Sequence, residues 1–196
     1  MLKITLGTNN KHKIDEINLI AKNYEVEFVL PSKGYKAIED GNSFLKNAYC
    51  KANCARKNAK TELFLADDSG LCIEALKGAP GIYSARYAQT AQDRINRVLE
   101  ELKGIDNRKA KFVCAMVLVN KKGEIVFQVQ KECHGTILEE QRGKNGFGYD
   151  PIFFVDSENR SMAELSDTEK SKISHRALAL VDVLEFLKIY NIKGGD

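Results

Sequence analysis

The spacing of apolar and polar residues along the chain predicts strands and helices in an intermixed order. Short apolar runs predict four strands, at Leu2–Leu6, Glu25–Leu30, Leu63–Ala66 and Phe112–Val119. Apolar residues three and four positions apart predict four helices, which begin near Lys11 and near Asn42 or Ser43 and cover Ala91–Leu102 and Ser174–Tyr190. Strands and helices that alternate in this way are typical of the α/β class.

One pair of strands is predicted to be antiparallel. The run Phe112–Val119 ends at a turn over Asn120–Gly123, after which Ile125, Phe127 and Val129 alternate with polar residues. Because almost every residue of Phe112–Val119 is apolar, we expect both faces of that strand to be covered. The alternation of strands and helices in the rest of the chain, together with this hairpin, predicts a mixed sheet.

Composition narrows the class of protein further. The 196 residues are 43% hydrophobic and 29% charged, with a formal net charge of +3, and we predict one domain over residues 1–196 without a separable linker. No apolar run could span a membrane, and the first residues turn polar too early for a secretory signal, so we expect a cytoplasmic protein with no membrane partner. The near-neutral charge argues against a nucleic-acid partner.

The segment TNNKHK, Thr8–Lys13, joins the first strand to the first helix. Backbone N–H groups at a helix N-terminus can bind an anion, and Lys11 and Lys13 add positive charge. The segment lacks the glycines and the G-K-[ST] order of a Walker A loop. An ordinary helix cap remains an alternative on this pattern alone.

Two adjacent acids, Asp67 and Asp68, follow the buried run Leu63–Ala66 and precede Ser69 and Gly70. We expect the strand to end in a turn here, with Leu71–Ala75 extended beyond it. On extended backbone the two carboxylates point to opposite sides, so one of them can face a site that holds a hard cation such as Mg²⁺. A simple Asp-Asp-Ser-Gly turn is the alternative.

Two further clusters lie in the C-terminal half. KNGFGYDP, Lys144–Pro151, combines glycines with aromatic rings that can stack on a base, or is a glycine loop with core aromatics. EKSKISHR, Glu169–Arg176, places cations near the start of the last helix, where they oppose the helix dipole. Asn47 and Lys51 share one face of the second helix, and by spacing alone they are solvated surface residues.

Together these segments resemble a known family. TNNKHK, FLKNAYCKA, ADDSGL, GAPGIYSARYA, GFGYDPIFF and EKSKISHR occur in this order over Thr8–Arg176, and they resemble the inosine/xanthosine triphosphate pyrophosphatases. The resemblance implies a two-lobed fold around a long mixed sheet flanked by helices, with the active site in the cleft between the lobes. It also implies a homodimer, a requirement for Mg²⁺, and hydrolysis of deaminated purine nucleoside triphosphates to the monophosphate and pyrophosphate.

The resemblance assigns roles residue by residue. It implies that Asp68 is the catalytic acid and a metal ligand, that Glu39 is a second metal ligand, and that Asp67 supports them. The implied substrate-binding residues are Thr8, Asn9, Asn10, Lys11, His12, Lys13, Lys51, Ser69, Phe147, Gly148, Tyr149, Asp150, Lys170, His175 and Arg176. The alternatives are a related Mg²⁺-dependent pyrophosphatase for modified or pyrimidine nucleotides, a nucleotide-binding regulator without turnover, and a nucleic-acid-binding module.

Overall fold

The computed structural model describes residues 1–57 and 59–192, and its regular elements alternate as the sequence predicts. The strands are β1 (Leu2–Leu6), β2 (Val26–Val29), β3 (Leu63–Ile73), β4 (Lys109–Asn120), β5 (Ile125–Ile137), β6 (Phe153–Val155) and β7 (Arg160–Ser161). The α-helices are α1 (Lys11–Ala21), α2 (Phe44–Ala55), α3 (Ala91–Glu101), α4 (Asp167–Ile173) and α5 (His175–Ile192). Within the described ranges, none of the helices has both the length and the apolar composition that a membrane span requires.

The strands form a seven-stranded mixed sheet in the order β2-β1-β3-β4-β5-β6-β7. Strand β1 runs parallel to both β2 and β3, with Ile4 opposite Leu63 in the second pair. Strand β6 is antiparallel to β5, and β7 is antiparallel to β6. The predicted α/β class with a mixed sheet flanked by helices is therefore confirmed.

The chain forms two compact units, the first of which contains Met1–Asp68, Cys114–Lys131 and the residues from Arg176 onward. One apolar cluster of this unit packs α1 and α5 against β1, β3 and β4. A second cluster packs α2 against Phe64 and Val117, and the buried apolar side chains that α2 contributes to it are all alanines. Small side chains allow the helix backbone to lie close to the sheet, which brings the polar residues of α2 near β3.

The second unit contains Ser69–Val113 and Glu132–His175. Its apolar cluster combines α3 with the second half of β3, the first part of β4 and the second part of β5. Phe112 and Phe153 lie in this cluster with their ring centroids 4.3 Å apart. The core therefore fixes the ends of the loop that precedes β6, which contains the predicted base-binding segment.

The structure differs from the sequence prediction at one predicted turn and at one helix that was not predicted. The segment at Asp67–Gly70 is not a turn, because β3 continues through it as an eleven-residue strand that ends at Ile73. Helix α4 was not predicted, although Ser166 and Glu169 form a capping box at its start, which the S-x-x-E spacing could have indicated. Every residue of Phe112–Val119 is buried, as we expected for a strand covered on both faces.

Candidate active site

The two acids of β3 lie in the middle of a strand and are almost fully buried. Asp67 is 3% exposed and Asp68 is 6% exposed. Buried carboxylates are costly unless cations or hydrogen-bond donors surround them. The strand can continue through both residues because other elements of the first unit supply those partners.

Asp67 is surrounded by positive charge. Its Oδ2 lies 2.7 Å from the Lys13 Nζ and 3.4 Å from both the Nε and an Nη of Arg176. The Arg176 guanidinium also donates to Glu16. Burial acts to raise the pKa of Asp67, but Lys13, Arg176 and Lys51 together outweigh it and hold that pKa well below its ordinary range. Asp67 is therefore ionised and serves as the anion around which Lys13 and Arg176 are arranged.

Asp68 has a different environment. Its Oδ2 accepts from Asn47 Nδ2 at 3.1 Å, and its Oδ1 lies 3.8 Å from Lys51 Nζ. Burial raises the pKa of Asp68, and the nearby cations and the Asn47 amide only partly oppose it. A carboxylate with a raised pKa is a stronger base than an exposed aspartate, which suits proton transfer from water.

Lys51 joins Asp68 to the loop before α2. Its Nζ lies 3.2 Å from Glu39 Oε1, so one ammonium contacts both carboxylates that the sequence predicts as metal ligands. Burial acts to lower the pKa of Lys51, but Asp67, Asp68 and Glu39 raise it above its ordinary value. The interpretation of Asn47 and Lys51 as solvated surface residues is wrong, because they are 0% and 8% exposed and α2 turns them toward β3.

The carboxylate oxygens of the two acids that contact Lys51 are ligands of the kind that a hard cation prefers. Among the described residues, no group of three or more His, Cys, Asp or Glu side chains is arranged to hold a metal ion by itself. Mg²⁺ usually binds one or two protein carboxylates and takes its other ligands from water and substrate phosphates. Asp68 and Glu39 supply such a pair of oxygen ligands.

The segment before α1 is held by its own polar side chains. Asn10 caps the helix, since its Oδ1 accepts from the backbone N–H of His12 and of Lys13. Thr8 accepts from the Asn10 N–H at 3.1 Å, and Asn9 donates to the Tyr35 carbonyl at 3.0 Å. Asn10 thereby occupies two of the first backbone N–H groups of α1, while His12 and the neighbouring Lys11 are exposed.

Tyr35 fixes the strand end that leads into this segment. Its hydroxyl donates to the Gly7 carbonyl at 2.8 Å and lies 3.1 Å from the Lys51 carbonyl. A Cβ on Gly7 would approach both Ala66 and the Lys51 carbonyl to 2.9 Å. The Thr8–Lys13 segment and α2 are therefore packed against each other with no room for a side chain at residue 7.

In the second unit, Asp150 organises the predicted base-binding segment. Its Oδ2 accepts from Lys170 Nζ at 2.7 Å and from the Phe147 backbone N–H at 2.8 Å. The Lys170 ammonium lies 4.7 Å from the Phe147 ring centroid. Gly146 has a φ of +70°, and a Cβ there would lie 2.1 Å from Asp150 Oδ2. The glycine is thus required both by the backbone conformation and by the close approach of the carboxylate.

The remaining predicted residues of this unit have distinct surroundings. Tyr149 donates to the Ser84 carbonyl at 2.9 Å, and burial raises the pKa of its hydroxyl. His175 stacks on Phe112 with ring centroids 4.9 Å apart. Gly148 and Ser69 are half-buried, and the backbone at Ser69 is extended where a turn was predicted.

The cations of EKSKISHR do not all oppose a helix dipole, contrary to the sequence interpretation. Lys170 and Lys172 lie in the last turn of α4, where positive charge is favourable. His175 and Arg176 begin α5, and Arg176 is 2% exposed with carboxylate partners. Of the basic residues in this segment, only His175 and Arg176 therefore lie at a helix N-terminus, where positive charge opposes the helix dipole.

The structure groups the predicted residues within each unit. In the first unit it brings together Lys13, Lys51, Asp68, Glu39 and Arg176, and in the second unit it brings together Phe147, Asp150 and Lys170. Sequence reasoning missed Glu16 and Tyr35 and undervalued Asn47. Glu16 lies three residues after Lys13 on one face of α1, and that spacing was a usable signal. No sequence pattern indicates Tyr35.

The fold is that of an α/β protein, and its first unit contains a cluster of buried carboxylates and cations. The chain belongs to the Ham1 family, whose model matches residues 4–186. The resemblance drawn from the six motifs is therefore confirmed.

Individual relatives match over nearly the whole chain. The chain is 42% identical to the dITP/XTP pyrophosphatase of Clostridium perfringens (strain 13 / Type A), with 96% of this chain and 98% of that protein covered. It is 43% identical to the dITP/XTP pyrophosphatase of Clostridium tetani (strain Massachusetts / E88), with 97% and 98% covered. The solved structure of a HAM1 protein from Coxiella burnetii is 41% identical, with a TM-score of 0.86 and 96% and 99% covered.

Proposed function

We propose that this protein is a hydrolase that cleaves deaminated purine nucleoside triphosphates, namely ITP, dITP and XTP, to the monophosphate and pyrophosphate. The observation that carries the proposal is the placement of Asp68, which is buried, hydrogen-bonded to Asn47, and 3.8 Å from an ammonium that also binds Glu39. Relatives that are more than 40% identical over nearly their full length carry the name dITP/XTP pyrophosphatase, which supports this substrate class.

Asp68 is the proposed general base. Hydrolysis between the α and β phosphates needs a water molecule that is oriented in line with the leaving group and loses its proton as it attacks. The Asn47 amide donates to Asp68 Oδ2 at 3.1 Å and fixes the orientation of the carboxylate that would accept this proton. Lys13 and Lys51 provide positive charge for the pyrophosphate leaving group.

We propose Mg²⁺ as the cofactor, with Asp68 and Glu39 as its protein ligands. When bound, Mg²⁺ neutralises charge that develops on the phosphate oxygens. The positive end of α1, with the exposed residues Lys11 and His12, is proposed to bind the triphosphate together with Thr8, Asn9 and Asn10. Ser69 is proposed to add a hydroxyl donor.

For the base and the sugar we propose the segment Phe147–Asp150 together with His175 and Arg176, whereas Lys170 is proposed to join the residues that hold the triphosphate. A 6-keto purine presents an acceptor where adenine presents an amino donor, so a protein donor at that position rejects adenine. His175 suits this role because it is held against Phe112 by stacking. Arg176 already binds Glu16 and Asp67, and its contact with the base stays a prediction from the family resemblance.

The quaternary structure and the cellular setting are also proposals. We propose a homodimer that acts in the cytoplasm on the free nucleotide pool, without a nucleic-acid or membrane partner. The resemblance to the pyrophosphatase family supports the dimer, and the near-neutral net charge of +3 supports the absence of a nucleic-acid partner.

Pyrophosphate release tests the function directly. Wild type and Asp68→Asn are assayed on ITP, XTP, dITP, ATP, GTP and dUTP, with Mg²⁺ and with EDTA. We expect Mg²⁺-dependent turnover of the first three substrates far above the others, and loss of turnover in the variant. Faster turnover of dUTP would favour the alternative of a pyrimidine or modified-nucleotide pyrophosphatase. Release of phosphate in place of pyrophosphate would contradict cleavage between the α and β phosphates, and tight binding without turnover would favour a regulator.

A further inference from the structure

One amide joins Asp68 to the loop that carries Glu39, the other carboxylate of the proposed metal site. Asn47 lies on α2 with its side chain 0% exposed. Its Nδ2 donates to Asp68 Oδ2 at 3.1 Å, and its Oδ1 accepts from the Gly41 backbone N–H at 2.9 Å. Because a carboxylate can only accept here and a backbone N–H can only donate, these partners fix the amide in one orientation.

The contact at Gly41 leaves no space for a side chain. A Cβ built on Gly41 would lie 2.6 Å from Asn47 Oδ1 and 3.0 Å from the Lys46 Cβ. The φ of Gly41 lies outside the left-handed region, so an alanine there would meet Asn47 without backbone strain. The loop and the amide are therefore matched in position to within a few tenths of an ångström.

These contacts close a ring. Glu39 precedes Gly41 by two residues, and its Oε1 binds Lys51 Nζ at 3.2 Å. Lys51 in turn lies 3.8 Å from Asp68, to which Asn47 donates. Asp68 and the loop that carries Glu39 are thus each tied to α2 twice, once through the Lys51 ammonium and once through the Asn47 amide. Asn47 therefore links the loop at Gly41 directly to Asp68.

We propose that Asn47 is a positioning residue, which sets the spacing between Asp68 and the Glu39 loop that Mg²⁺ and the attacking water require. The proposal rests on the proposed function, because it concerns the same site. Asn47 reaches the reaction through Asp68 and the loop, and it is not proposed to contact the nucleotide. A purely structural role would instead lower the amount of folded protein and leave the properties of each folded molecule unchanged.

Two variants separate these roles. Asn47→Leu keeps the approximate side-chain shape and removes both hydrogen bonds, whereas Gly41→Ala keeps Asn47 and displaces its amide from the loop side. Asn53→Leu is the matched control, because Asn53 is on the same helix and its side chain accepts from Arg56 instead. For each protein we would measure kcat and KM for ITP and the Mg²⁺ concentration at half-maximal activity. Calorimetry would add the affinity for α,β-methylene-ITP in EDTA and the affinity of that complex for Mg²⁺.

We expect kcat to fall on the order of 10- to 100-fold in Asn47→Leu, the range that corresponds to loss of a hydrogen bond to a charged group. We expect Mg²⁺ affinity to fall several-fold in both variants, whereas KM for ITP and analogue binding in EDTA change less than about twofold. Gly41→Ala should give the same pattern with a smaller kcat loss, and Asn53→Leu should match wild type.

Unchanged kcat and Mg²⁺ affinity in folded Gly41→Ala would overturn the proposal. It would also be overturned if analogue binding, kcat and Mg²⁺ binding all fell in proportion to the folded fraction. Wild type reports separately on the proposed function, because absence of pyrophosphate release from wild type would contradict that function. In that case the calorimetric Mg²⁺ affinities of the variants still decide whether Asn47 positions the two carboxylates.

Discussion

The same substitution at the two adjacent aspartates of β3 should destabilise the protein strongly at Asp67 and little or not at all at Asp68. Asp67→Asn removes the carboxylate that binds Lys13 at 2.7 Å and Arg176 at 3.4 Å. Asp68→Asn removes a charge that burial disfavours, as the raised pKa of Asp68 shows. The two changes are identical in chemistry and differ by one position in the same strand, so each serves as the control for the other.

The expected loss of stability for Asp67→Asn follows from its partners. Removal of one member of a buried ion pair costs about 3–5 kcal/mol, because the remaining charge stays buried. Arg176 keeps Glu16 as a partner, so we expect about 3 kcal/mol, mainly from Lys13. For a domain of this size, such a loss lowers Tm by roughly 6–12 °C. In Asp68→Asn the new amide oxygen can still accept from Asn47, so we expect stability within about 1 kcal/mol of wild type, or higher.

Urea unfolding followed by circular dichroism tests this expectation. The measurement is made at pH 7 in EDTA without nucleotide, because any bound ligand would stabilise the folded state. The low pKa of Asp67 means that its contribution is complete above the pKa of the unfolded chain, about 4, and disappears as pH falls toward the folded-state value. The difference between wild type and Asp67→Asn should therefore shrink as pH is lowered below about 4. Equal losses in both variants, or wild-type stability in Asp67→Asn, would refute the assigned charge environments.

Substitutions at three further positions test other parts of the structure. Tyr35→Phe removes a hydroxyl that binds the Gly7 carbonyl and should cost about 1 kcal/mol and raise KM for ITP; an unchanged KM would contradict its role in holding the Thr8–Lys13 segment. Asn10→Ala should lower the unfolding free energy by about 0.5–2 kcal/mol, and Asn10→Ser should restore most of it, since serine also caps helices. Asp150→Asn removes a 2.7 Å contact of opposite charges with Lys170 and should lower Tm and raise KM, whereas a variant indistinguishable from wild type would exclude Asp150 as the organiser of its loop.

Sequence patterns predicted the elements well where apolar periodicity was strong. Helix α1 begins at Lys11 as predicted, and the uninterrupted apolar run of β4 is buried throughout. The sequence could not reveal that β3 continues through Asp67 and Asp68, because two adjacent acids normally mark a turn. Partners more than 20 residues away in sequence, among them Lys13 and Asn47, keep these acids in the strand.

The site residues were predicted by motif resemblance more than by local pattern. Spacing placed Asn47 and Lys51 on one face of α2 but could not say which way that face points. Only the packing of the alanines of α2 on Phe64 and Val117 turns it toward β3. Glu16 could have been found from its position one turn after Lys13, whereas the contacts of Tyr35 depend on a loop without periodicity.

The burial of the cations has a consequence for the response to ionic strength. Lys51, Lys170 and Arg176 are shielded from solvent by the protein and are already paired with carboxylates. At 0.1 M salt, dissolved ions largely screen interactions between exposed charges that are more than about 10 Å apart, but they screen buried charges much less. The attraction between a bound phosphate chain and Lys51 or Lys170 is therefore screened less than its attraction to exposed residues such as Lys11. Affinity for the nucleotide should consequently fall less with added salt than binding through surface lysines alone would.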